Sequence, residues 1–401
     1  MSARFHPYLC GRNAAEWLID MKDLTKFLVG TTVPTLTDDA SIPCFGRSEE
    51  NFKLMRDAGV KIVRIFSSFP FTDESMTEES AAYKQFKADV KLYADNGIET
   101  MGALQLPGQF RSDGEGKVSY IRHYPDWMGP LTEDKYYDIL AKVAEYVAKD
   151  TKDSITWWQI ANEPDIDMFI GDMTFEQNSR WLDVAAHAVK KGNPDAKCGI
   201  NLAGAAVCGA ALDENGNKIP GKPHIHPYAK DLLVTLYQCK DTAFDFIGLD
   251  GYFGSWSFGD TSDWTEYIDS AYEITGKPVI IAEWGYSTLQ KGEPRPEEDK
   301  HRYFNSATCR EKDMDAAGFR WLGKEHSEWL QPEYIMECIK IFAENEHCIG
   351  HLFFQWQDQA NCWQCGEPDC PAECSWGCLH ADGSPKPGYY GLVAANKKYF
   401  G

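Results

Sequence analysis

Apolar and polar positions along this chain follow two alternating periods. Short runs rich in β-branched and aromatic residues appear at Phe27–Val33, Val60–Phe66, Ile98–Leu104, Ile155–Ala161, Ala196–Leu202, Phe244–Asp250, Pro278–Glu283 and Ile349–Trp356. Several are apolar almost throughout, as expected of parallel strands covered on their outer face. Between them apolar residues recur at helical spacing: Phe86, Val90 and Tyr93; Leu140, Val143 and Val147; Ile335, Ile339 and Phe342. Start signals agree with these helices. Ser48 precedes one, Thr174 with Gln177 forms a capping box before another, and Pro332 opens a third.

Eight strand–helix alternations predict a single (β/α)8 TIM barrel, with a doubly wound sheet as the structural alternative. The 401 residues exceed the length of a minimal barrel, and the surplus falls after strands. The long segments are Gln105–Leu131, Ala203–His226, Gly285–Gln331 and Gln357–Ser384. They are βα loops, on the face where barrel enzymes keep their active sites. The expectation is one catalytic domain over 1–401, with an N-terminal extension over 1–26 and a Cys-rich βα8 loop over 357–384.

Charge narrows the partners. With 61 acidic against 40 basic residues the net charge is −21, which argues against nucleic acid or an anionic membrane surface and leaves a neutral oligo- or polysaccharide open. No run approaches 18 apolar residues, and the N-terminus lacks a signal-peptide pattern. A cytoplasmic protein and a secreted one with its signal removed are both compatible with this.

Two carboxylates end apolar strands: Glu163 in ITWWQIANEPD, past strand 4, and Glu283 in KPVIIAEWGYS, at strand 7. In a barrel these strand ends face each other across one cavity. Facing carboxylates supply the proton donor and the nucleophile or base of glycoside hydrolysis. Asn162-Glu163-Pro164 together with Ile281-Ala282-Glu283-Trp284-Gly285 resembles the retaining glycoside hydrolases of clan A, the group of the cellulase- and mannanase-like family 5. The resemblance implies β-glycan hydrolysis, with Glu163 as acid/base, Glu283 as nucleophile and Asn162 as a donor to the sugar 2-hydroxyl. It also implies that Arg64 on strand 2 supports the nucleophile, that Tyr252 contacts it, and that Trp356 floors the central sugar subsite. Strand 6 reads Asp250-Gly251-Tyr252, where the family-5 pattern often has His-x-Tyr.

Aromatic residues after strands 6, 7 and 8 are candidates for sugar stacking: Trp256, Trp264, Trp284, Tyr286, Trp363 and Trp376, with Trp284 foremost. No cofactor is needed for the expected chemistry. His224-Ile225-His226 has metal-ligand spacing, so a metal-dependent barrel hydrolase is one alternative. A non-catalytic carbohydrate-binding barrel is the other. Five of the 13 cysteines crowd together as Cys362, Cys365, Cys370, Cys374 and Cys378. Four of them are enough for a structural zinc in a reducing compartment, though the spacing is not that of a standard zinc ribbon, or for two disulfides with one thiol left over in an oxidising one.

Overall fold

The computed structural model describes residues 23–33, 45–112, 118–203, 211–212, 218–219, 225–257, 259–288, 320–362, 370 and 373–401. Most of the expected N-terminal extension lies outside them, as do His224, Trp363 and Cys365. The strands are β1 (Leu28–Thr32), β2 (Ile62–Phe66), β3 (Glu99–Leu104), β4 (Trp157–Ile160), a divided β5 (Lys197–Gly199 and Asn201–Leu202), β6 (Ile247–Gly251), β7 (Val279–Trp284) and β8 (Cys348–Phe353). Helices α1 (Glu49–Asp57), α2 (Ala81–Asp95), α3 (Asp134–Asp150), α4 (Phe175–Gly192), α5 (Pro227–Tyr237), α6 (Asp263–Thr275), α7 (Gln331–Glu344) and α8 (Pro387–Phe400) follow them in turn.

The strands are parallel, and their order runs β5, β4, β3, β2, β1, β8, β7, β6 and back to β5. This is the expected (β/α)8 barrel. It closes through β5, which changes neighbours at Ile200: Lys197–Gly199 pairs with β4, and Asn201–Leu202 pairs with β6. The Ile200 N–H is taken up by the Tyr237 hydroxyl of α5 at 3.2 Å. The capping signals are realised as well. Ser48 Oγ accepts from Asn51 N at 3.1 Å, and the Thr174–Gln177 box closes at 3.2 and 3.0 Å.

Two layers of core result. Phe52, Tyr93, Leu140, Trp181, Leu232 and Phe342 belong to the larger, between strands and helices. Ile62, Met101, Phe246, Ile280 and Leu352 form a smaller one from inward-facing strand positions. Because side chains alternate along a strand, Ile62 predicts that Arg64 also faces inward, and Phe246 predicts the same for Asp250. Strand β7 breaks this alternation. Leu249 lies opposite Ile281, but the next residue, Asp250, lies opposite Glu283, so Ala282 is an extra residue. The β8 side shows the same slip between Ile281 and Trp284. Such a bulge turns the residues beyond it to the opposite face. It brings Glu283, rather than Trp284, to the inside.

The segment after β8 is anchored by Lys386, whose side chain is fully buried. Its ammonium donates to both Asp358 oxygens at 3.1 Å and to Thr288 Oγ1 at 2.9 Å. Cys362, Cys370 and Cys374 are buried together with Trp256 against them, whereas Cys378 belongs to the main core and lies 3.1 Å from the Trp356 carbonyl. Among the described residues no helix is long and apolar enough to cross a membrane.

Candidate active site

Five strand ends contribute polar side chains to one cluster. Arg64 comes from β2, Gln159, Asn162 and Glu163 from β4 and the turn after it, Asn201 from β5, Asp250 and Tyr252 from β6, and Glu283 from β7. Glu283 is buried and accepts two hydrogen bonds, one oxygen from Arg64 Nη2 and the other from the Tyr252 hydroxyl at 2.6 Å. Arg64 is fixed in turn by Gln159 Oε1 at 3.1 Å and Asn162 Oδ1 at 3.5 Å. Two charge-assisted or strong donors, one on each oxygen, fix the orientation of the carboxylate.

The turn that presents Glu163 is unusual. Ala161 and Glu163 have φ of 78° and 43°, a left-handed region that non-glycine residues seldom occupy. Neighbouring side chains hold it there. Glu163 N donates to Asn201 Oδ1 at 3.2 Å, and Asn178 on α4 donates to the Pro164 carbonyl at 2.7 Å. Asn162 Oδ1 accepts from Arg64, from Gln159 Nε2 at 3.2 Å and from Asn201 Nδ2 at 3.1 Å. Three donors on the oxygen fix the amide orientation, so Nδ2 is the end left for a ligand.

Oxygens of Glu163, Asp250 and Glu283 lie within 4.8 Å of one another. Glu163 is half-buried as a residue, but its carboxyl sits deep among protein atoms. That burial, followed by the charges of Glu283 and Asp165, pushes its pKa well above the usual carboxylate range. Burial likewise raises Tyr252, with Glu283 adding to it, so the phenol stays a donor.

The aromatic candidates divide. Trp284 is fully buried on the outer face of β7 against Phe342, His351 and Phe353, so it does not serve as a sugar platform. Trp356 is also enclosed: its Nε1 donates to Asn51 of α1 at 2.7 Å, and its ring meets Tyr389 of α8. Buried in this way, it cannot floor a subsite. Trp264 and Tyr286 are core residues. The aromatic group beside the site is Tyr252, Phe354 and Trp376, with ring centroids 4.7–6.0 Å apart, and Trp256 behind them. Phe354 is half-buried and was not anticipated; it ends an apolar run, like the residues singled out, but carries no polar signal. Gln159, Asn201 and Asp250 were also missed as site residues. Asp250 had the same signal as Glu163 and Glu283, an acid ending an apolar strand.

His226 is engaged at both ring nitrogens. Nδ1 accepts from Ala229 N at 3.4 Å and caps α5, while Nε2 faces Asp165 Oδ2 at 3.2 Å. It orders the βα5 turn and has no nitrogen left for a metal.

No family model matches the chain in sequence, and no curated protein does. Solved structures match its fold. A β-glucuronidase from an uncultured Clostridium sp. aligns at TM-score 0.53 and 15% identity over 93% of this chain and 50% of that one. A family 39 glycoside hydrolase from Bacteroides cellulosilyticus WH2 aligns at 0.56 and 15% over 94% and 65%. The GH53 catalytic domain from Ignisphaera aggregans aligns at 0.57 and 15% over 92% of this chain and 96% of that domain. The chain thus spans half the length of the first, nearly two thirds of the second and nearly all of the third. At these identities the likeness is one of fold, a barrel shared with glycoside hydrolases.

Proposed function

We propose that this protein hydrolyses β-linked glycans with retention of anomeric configuration. The observation that carries the reading is the Glu163–Glu283 geometry. One oxygen of each lies within 4.8 Å of the other, a close approach in keeping with a retaining pair, whose carboxyl groups stand about 5–5.5 Å apart. The two carboxyls are also in opposite environments. Glu283 is paired with Arg64 and Tyr252 as a nucleophile requires, and burial favours the protonated form of Glu163 as an acid requires.

In the first step Glu283 forms a bond to the anomeric carbon while Glu163 gives its proton to the departing oxygen. In the second step Glu163 takes a proton from water, the water oxygen attacks the anomeric carbon, and the bond to Glu283 breaks. Asn162 Nδ2 donates to the sugar 2-hydroxyl. The mechanism requires no metal or organic cofactor. The resemblance of the motifs points to a glucan or mannan as substrate.

The test uses an aryl β-glycoside whose leaving group needs little protonation. Glu163→Ala retains appreciable first-step activity on it and gains turnover with azide, with a loss of about 10²–10⁴-fold on poorly activated substrates. Glu283→Ala is inactive on both. Full activity in Glu283→Ala overturns the assignment.

A further inference from the structure

Three carboxyl groups meet at the barrel mouth, and the mechanism above uses two. The third, Asp250, is 1% exposed. Its Oδ2 accepts from Asn201 Nδ2 at 2.5 Å, but its Oδ1 is buried without a hydrogen-bond donor. Oxygens of Glu163 and Glu283 lie within 4.8 Å of this carboxyl. A buried acceptor without a donor is destabilising, and more so when charged. Two adjoining carboxylates also resist being ionised together.

The charged and titratable groups around the pocket come from every element packed on it. They are Arg64 on β2, Glu163 and Asp165 after β4, Tyr252 just after β6 and Glu283 on β7, with His226 beyond Asp165. Both strong donors, Arg64 Nη2 and the Tyr252 hydroxyl, are directed at Glu283. Asp165 has donors of its own, Ala203 N at 3.0 Å and His226 Nε2 at 3.2 Å. Asp250, beside Glu163, has only the neutral amide of Asn201, on Oδ2. A single proton between these two removes the like-charge contact and supplies the donor that Asp250 Oδ1 lacks.

We infer that Asp250 is a positioning residue that shares one proton with Glu163, keeping the acid/base protonated and its carboxyl aimed into the cleft. The inference rests on the double-displacement reading above. Asp250 itself exchanges nothing with the substrate. When the Glu163 O–H bond breaks and its proton moves to the glycosidic oxygen, Glu283 loses its charge by forming the ester, so the net charge of the pocket is unchanged. The negative Asp250 then makes Glu163 a stronger base toward water in the second step. Burial and the neighbouring carboxylates raise both Glu163 and Asp250, in the direction a shared proton requires.

The experiment has two arms. The first is the pH profile of kcat/KM on a poorly activated aryl β-glycoside for the wild type, Asp250→Asn and Asp250→Glu. The alkaline limb reports deprotonation of the acid. Removing the adjoining charge, and presenting an amide donor to Glu163, moves that limb to lower pH by about one unit or more in Asp250→Asn. Asp250→Glu restores it at least in part. The second arm is an infrared titration of the carboxyl groups, which needs no substrate. A protonated-carboxyl band present in the wild type at neutral pH disappears in both Asp250→Asn and Glu163→Gln.

An unmoved alkaline limb in folded Asp250→Asn overturns the inference, as does the absence of a protonated carboxyl at neutral pH. If no β-glycoside is cleaved, the functional reading fails and the infrared arm alone decides the proton sharing. If Asp250→Asn does not fold, the comparison of wild type with Glu163→Gln decides it.

Discussion

Glu283 accepts from a cation on one oxygen and from a phenol on the other, and the two donors differ in what their loss would do. Arg64 is itself buried, so removing it strands a carboxylate and disturbs the fold as well as the site. Tyr252→Phe removes one hydrogen bond and little volume. A hydrogen bond to a charged group is worth about 1.5–3 kcal/mol, so kcat/KM should fall roughly 10–100-fold with the melting temperature nearly kept. Steady-state kinetics and a thermal melt check this, and an unchanged kcat/KM would count against Tyr252 as a support of Glu283. Glu163 and Glu283 were legible because a carboxylate at the end of an apolar strand is out of place in any packing scheme. Trp284 was misread for a reason the sequence contained: neighbours on a strand face opposite ways, so Glu283 and Trp284 cannot both line the cavity. Asn201 was illegible, because its value lies in bridging Asn162, Glu163 and Asp250, three partners far away in the chain.

The strands were the clearest part of the sequence, since eight apolar runs separated by amphipathic helices leave few other arrangements. Their irregularities were hidden. Nothing in KPVIIAEW announces that Ala282 is the extra residue of β7, yet the facing of Glu283 depends on it. Inserting a second alanine after Ala282 should place the new residue opposite Asp250, turn Glu283 outward and bring Trp284 in. The expected result is a folded or destabilised barrel with activity reduced by roughly 10⁴-fold or more, as for loss of a nucleophile. Circular dichroism and kinetics measure it, and near-normal activity would show that the bulge does not aim Glu283. The same kind of irregularity explains Trp356. The apolar run continues through it, but the strand stops at Phe353, so Phe354 rather than Trp356 stands beside Tyr252.

Two parts of the chain after β8, at Asp358 and Lys386, are clasped together by a buried ion pair, and Lys386 also bonds Thr288 after β7. Lys386→Met leaves the Asp358 carboxylate without its partner, a change that typically costs about 3–5 kcal/mol, while Lys386→Met with Asp358→Leu should recover most of it. Urea denaturation gives both values, and a neutral single variant would show that the pair does not anchor this segment. Burial pushes Asp358 up to about 6 in spite of Lys386, against an ordinary value of 3.8. The folded chain therefore holds this proton over a range where the unfolded chain has released it. The contribution of Asp358 to stability is greatest below the lower value and is lost as pH rises toward about 6.

In the proposed mechanism the divided strand β5 makes chemistry dependent on closure. Asn201 sits at the point where the barrel joins itself, in contact with Asn162 and the Glu163 backbone on one side and with Asp250 on the other. Glu163, the proposed proton donor, belongs to the first four strands, and Glu283, the proposed nucleophile, belongs to the last three. Were the seam to part, each half would keep much of its own packing but the reacting pair would separate. Catalytic turnover would then report the zipping of this seam more directly than helix content does.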